Sequence, residues 1–165
     1  MKILYAEECY VNALEEQNNR APFMLTKVAD TAARKAGQLR GLVIEQHVAW
    51  WFRRYYPFQY LEADNYQQWT HPCAHDFKLK ISSRIYRVDV AGPRKNGSFG
   101  SYQQKPSSNV DYHILCKALG FKSWNQIDFK QGFEIIGVVL PRDFNMEISP
   151  KSVIPISDWL KMIHL

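Results

Sequence analysis

Apolar residues follow two rhythms along this chain. Ile44, His47, Val48, Trp51 and Tyr55 recur at spacings of three and four. That spacing predicts one buried face of a helix, inside a longer helical segment from Lys27 to Tyr56. Gly37 and Gly41 weaken the middle of that segment and predict a break there. Pro57 ends it. A first helix is predicted over residues 4–18, with Leu4, Val11 and Leu14 as its apolar positions.

Beyond residue 75 the period changes to two. Phe77, Leu79 and Ile81 alternate with Asp76, Lys78 and Lys80, then Tyr86, Val88 and Val90 alternate with Arg87, Asp89 and Ala91. Successive strand side chains point to opposite faces, so 75–91 reads as a hairpin turning at Ser82-Ser83. Further strands are predicted near Phe58–Leu61, over 110–119 (VDYHILCKAL) and over 133–141 (FEIIGVVLP). SDWLKMIHL closes the chain as a short helix with Ser157 as its cap. Residues 91–109, AGPRKNGSFGSYQQKPSSN, read as a loop. The order predicts an α/β (α+β) fold, a mixed central sheet flanked by helices.

Composition narrows the class. The 165 residues are 46% hydrophobic and 14% aromatic, which suits one folded domain. No apolar run approaches the roughly 20 residues of a membrane helix, so no membrane partner is expected. MKILYAEECYVNALEEQ lacks the apolar core of a signal peptide. Cys9, Cys73 and Cys116 have no paired spacing, which fits a reducing cytoplasm. The net charge of +5 favours a nucleic-acid partner.

The hairpin carries the candidate chemistry. A two-residue turn at Ser82-Ser83 pairs Phe77 with Val88 and Leu79 with Tyr86, and sets Asp76 across from Asp89. Opposed residues have Cβ atoms roughly 4.5–5.5 Å apart, where like charges destabilise. Two such carboxylates need a proton, a basic neighbour or a cation, and Mg²⁺ is commonly held by one or two carboxylates. A solvated polar face neutralised by Lys78 and Arg87 is the alternative. Glu45 lies mid-helix among apolar residues, and Arg34, Lys35, Arg40, Arg94, Lys95 and Lys105 flank the hairpin in sequence. Such cations suit a phosphate backbone.

Gly41 and Glu45 in the helix, Asp76 opening one strand, and VDVAG (88–92) on the next together resemble the PD-(D/E)XK nuclease superfamily, of restriction-endonuclease-like fold. VDYHIL and FEIIGVVLP look like its later strands. The resemblance covers about residues 35–145 of a single domain, 1–165. A helical extension (1–34) precedes it and a short helix (156–165) follows. It implies an endonuclease, a phosphodiester hydrolase using Mg²⁺ or Mn²⁺ on DNA more than RNA. Asp76, Asp89, the Val90 carbonyl and Glu45 would hold the metal. The chain would act as a homodimer or as a subunit of a larger complex.

The family's lysine, two residues past the second acid, is replaced by Ala91. A methyl group moves no proton. Lys78 is the first candidate for a displaced amine, ahead of Lys80, Lys95 and Lys105, with Gln103 or Gln104 as water-orienting substitutes. The alternative is a catalytically inactive module that binds nucleic acid or a protein partner. Two further motifs carry less. His71, Cys73 and His75 alternate in HPCAH but lack a fourth zinc ligand nearby. The aromatic run AWWFRRYYPFQY suits core packing better than base stacking.

Overall fold

The computed structural model describes residues 1–20, 32–63, 75–94, 97–99, 110–123, 126–145 and 147–165. Among the described residues there are eight strands: β1 (Lys2–Ile3), β2 (Tyr60–Glu62), β3 (Phe77–Ile81), β4 (Arg84–Ala91), β5 (Tyr112–Ala118), β6 (Phe121–Ser123), β7 (Gln126–Ile127) and β8 (Phe133–Val139). The helices are α1 (Glu7–Arg20), α2 (Ala32–Tyr55) and α3 (Ile156–Met162). Six strands form one mixed sheet in the order β1-β8-β5-β4-β3-β2, and β6 and β7 form a separate small hairpin. β4 and β5 run parallel, whereas their outer neighbours are antiparallel. The expected α+β architecture is therefore present.

The predicted hairpin register holds. Phe77 faces Val88, Leu79 faces Tyr86, and Ile81 faces Arg84 across a two-residue turn. Ser82 takes a φ of 54° at the first turn position. Serine has a Cβ that opposes this conformation, which glycine adopts readily. Ser82→Gly is expected to stabilise the fold by about 0.5–1 kcal/mol, after the extra freedom it gives the unfolded chain. A urea midpoint that stays put or falls would contradict this.

α2 runs unbroken through Gly37 and Gly41, contrary to the expected break. Leu42, Val43, Ile44, Val48 and Phe52 are all buried along it, and that packing outweighs the propensity of two glycines. The buried stripe passes through Phe52 rather than Tyr55, which is exposed. α1 differs more. It starts at Glu7 because the residues before it form an edge strand on β8. Its buried positions are Cys9, Ala13 and Glu16, while Leu4 and Val11 are exposed. Two of the three, Cys9 and Ala13, are small, and Glu16 accepts a hydrogen bond from Gln46 of α2 at 3.0 Å. α3 begins after Pro155, with no side-chain cap, and Ser157 lies inside it.

The main core fills the space between α2, α3 and one face of the sheet. Phe77, Leu79, Val88, Val90, Ile114, Phe133, Ile135 and Val138 supply the sheet side. At Gly137 any Cβ would stand 2.5 Å from Val153 Cγ1 and 2.7 Å from the Ile154 carbonyl. Its absence lets the chain at Ile154 bridge to Val138.

His47 occupies an apolar position of α2 and is fully buried. Its Nε2 accepts from the Ala6 amide at 3.0 Å, so its Nδ1–H donates to the Val43 carbonyl at 2.7 Å. Both bonds together need the neutral ring. Burial holds its pKa below the ordinary 6.5. The unfolded chain therefore takes up the proton first as pH falls. This contribution is complete above 6.5 and is lost on acidification through and below it. His47→Gln should flatten the fall in Tm between pH 8 and pH 5; an unchanged slope would refute the assignment.

Candidate active site

The two hairpin acids lie close together in different settings. The β3–β4 ladder stops at Phe77 and Val88, and Asp76 occupies the bend just before it. The Asp76 amide donates to the Val88 carbonyl at 2.8 Å. Its carboxylate Oδ2 accepts the Val90 N–H at 2.6 Å. The ladder thus ends one position short of the expected Asp76–Asp89 pair. A side-chain oxygen takes the place of the next backbone acceptor. This places the Asp76 carboxylate against the Asp89–Val90 peptide.

Asp89 projects from the sheet face opposite the main core, yet it is only 5% exposed. It pairs directly with His113 in the parallel ladder. Their side chains meet at 2.7 Å, His113 Nδ1 to Asp89 Oδ2. A carboxylate accepts, so Nδ1 carries the hydrogen. The imidazole is itself buried and stacks on Phe144, with ring centres 3.9 Å apart and planes 11° apart. Leu115 and Val139, in register on the same face, are also buried. A second buried layer covers this side of the sheet, so Asp89 is not the solvated charge that the alternative reading assumed.

Glu45 belongs to the α2 turn beside the end of β4. A Cβ at Gly92 would lie 3.1 Å from Ile44 Cδ1, which fixes that approach. Glu45 is half-buried, and its Oε1 lies 4.0 Å from the Cβ position of Gly41. The carboxylate thus leans back along its own helix. Lys78 is half-buried, in register with Arg87 and Leu61 on the Asp89 face. Ala91 faces Leu115.

The cations divide. Lys35 is exposed on α2. Arg40 is buried, which pushes its pKa down to about 10 and removes it from the outer surface. Arg94 is half-buried and donates to the Phe99 carbonyl at 3.4 Å. The Arg34 side chain, Lys95 and Lys105 lie outside the described residues, as do Gln103 and Gln104. Arg87 is committed to Asp111, whose Oδ2 accepts from the Arg87 amide at 2.8 Å and from Nε at 3.3 Å.

His71 and Cys73 of the zinc motif also lie outside the described residues, and His75 is half-buried. Burial pushes the Cys9 and Cys116 thiols up to about 12, opposite to an activated nucleophile. The aromatic run packs in part: Phe52 and Tyr60 are buried and Trp51 meets Phe52 edge-on at 5.0 Å, whereas Tyr55 and Phe58 are exposed.

Among the described residues no group of three or more His, Cys, Asp and Glu is arranged to hold a metal ion. A Mg²⁺-type ion needs less, since one or two carboxylates suffice when water and substrate phosphate complete the shell. Asp76 and Asp89 fit that hard-oxygen requirement. The Oδ2 of each is held by a hydrogen bond, as ligating carboxylates commonly are. His113 was missed by sequence reasoning because VDYHIL places it 24 residues from Asp89; only the β4–β5 register joins them. No protein-family model, curated protein or solved structure matches the chain.

Proposed function

We propose that this chain is a Mg²⁺-dependent endonuclease of restriction-endonuclease-like fold that hydrolyses phosphodiester bonds in DNA. The observation that carries the reading is the Asp76 carboxylate seated on the Val90 amide beside the buried Asp89. The order of parts supports it: a glutamate-bearing helix, an acid in the bend before β3 and another on the adjacent β4, then β5 and β8 in the same sheet. Asp76, Asp89 and the Val90 carbonyl would hold the metal, whereas Glu45, whose carboxylate leans back along α2, stands outside that set. The bound ion supplies an activated water and neutralises charge on the phosphate.

The chain's own residues do the rest. Asp76 ties the start of β3 to Val90, so the two acids keep a fixed separation. The layer around His113 and Phe144 excludes water behind Asp89. Lys78 supplies the amine missing at Ala91. It is diagonal to Asp89 on the same face, roughly 7–8 Å away by sheet geometry and within reach of a long side chain. The net charge of +5 favours a polyanionic substrate.

The test incubates the protein with plasmid, linear and single-stranded DNA, and with RNA, in Mg²⁺ or Mn²⁺. Metal-dependent cleavage of DNA is expected. DNA binding without cleavage of any substrate would replace the reading with the inactive binding module that Ala91 suggests.

A further inference from the structure

We propose that His113 is a positioning residue for the metal-binding carboxylate of Asp89; the inference rests on the nuclease reading. The contact is built from both sides. Register sets His113 directly beside Asp89 on the neighbouring parallel strand. The Nδ1–H holds Asp89 Oδ2 at 2.7 Å. Phe144 lies flat on the imidazole at 3.9 Å and fixes the plane of the ring. Both side chains are more than nine-tenths buried, 4% exposed for His113 and 8% for Asp89.

A carboxylate turns about two side-chain bonds. Holding one oxygen in a buried layer fixes the direction of the other. Ligand sets that are oriented in advance bind metal more tightly, and loss of such an outer partner typically lowers metal affinity roughly 10–100-fold. His113 therefore acts through Asp89 and touches neither metal nor substrate. Phe144 acts one contact further out.

The measurement is Mn²⁺ binding to the full chain, followed by loss of the free-ion electron paramagnetic resonance signal. His113→Phe removes the donor and keeps a flat ring against Phe144. It should weaken Mn²⁺ binding about 10–100-fold. His113→Asn carries an amide N–H near the Nδ1 position and should restore most of the affinity. Phe144→Leu should cause a smaller loss in the same direction. Should His113→Phe fail to fold, the other two variants decide. Near-normal binding in His113→Asn with weakened binding in Phe144→Leu supports positioning. A loss in His113→Asn as large as that of Asp89→Ala overturns it.

Unchanged affinity in a folded His113→Phe overturns this inference and leaves the nuclease reading intact. A wild-type protein that binds no Mn²⁺ removes the nuclease reading, and this inference with it.

Discussion

Asp89→Asn is expected to lower Mg²⁺-dependent DNA cleavage by at least about 10²–10³-fold, the range for losing one preorganised charge-stabilising group. The substitution keeps the shape and an acceptor for His113 Nδ1–H, but removes the negative charge. Its effect on folding should accordingly be small. Asp89→Ala is different. It strands the buried His113 donor and should also cost about 1–3 kcal/mol of stability, since an unmade buried hydrogen bond carries its full desolvation penalty. Asp76→Asn should match Asp89→Asn in activity, because the amide oxygen can still accept the Val90 N–H. Cleavage assays paired with thermal unfolding separate the two effects. Wild-type cleavage rates in both asparagine variants would dismiss the two-carboxylate site.

The largest stability effect is expected at Phe52. Its ring is wholly buried, 5.1 Å from Phe77 of β3 and 6.2 Å from Trp159 of α3. It thus joins α2 to the sheet and to the last helix. Phe52→Ala should destabilise by about 3–5 kcal/mol through lost apolar burial and the cavity left behind. That is a large part of the 5–15 kcal/mol typical of a domain. Phe52→Leu retains most of the volume and should cost clearly less. Denaturant melts of the two variants give the comparison. Tyr55→Ala on the same helix should change stability little, because its side chain faces solvent. Equal losses at 52 and 55 would mean that the buried face of α2 has been misassigned.

The comparison of Phe52 with Tyr55 shows where sequence reading reached its limit. Periodicity located α2 and its end at Pro57, because a 3.6-residue repeat and a missing N–H are local properties. It put the centre of the buried stripe one position off, since α2 is covered by α1 as well as by the sheet. In α1 the pattern misled outright. The large residues Leu4 and Val11 face water, while Cys9 and Ala13 are inside, because close helix packing selects small side chains over the most apolar ones. The small β6–β7 hairpin and the edge strand β1 were too short to leave a repeat.

What the sequence determined by itself is the hairpin. Period-two alternation and a two-residue turn specify which residues face each other, and Phe77–Val88 and Leu79–Tyr86 follow from local chemistry alone. The same alternation placed Asp76 and Asp89 near each other. Tertiary structure decided how those acids are used. The break in the ladder at Asp76 arises where the strands part, and no periodic pattern records it. The burial of Asp89 and its bond to His113 depend on a parallel β4–β5 pairing that a long crossover brings about. Parallel register is set by what packs on both faces of the sheet, and that information is distributed over the whole chain.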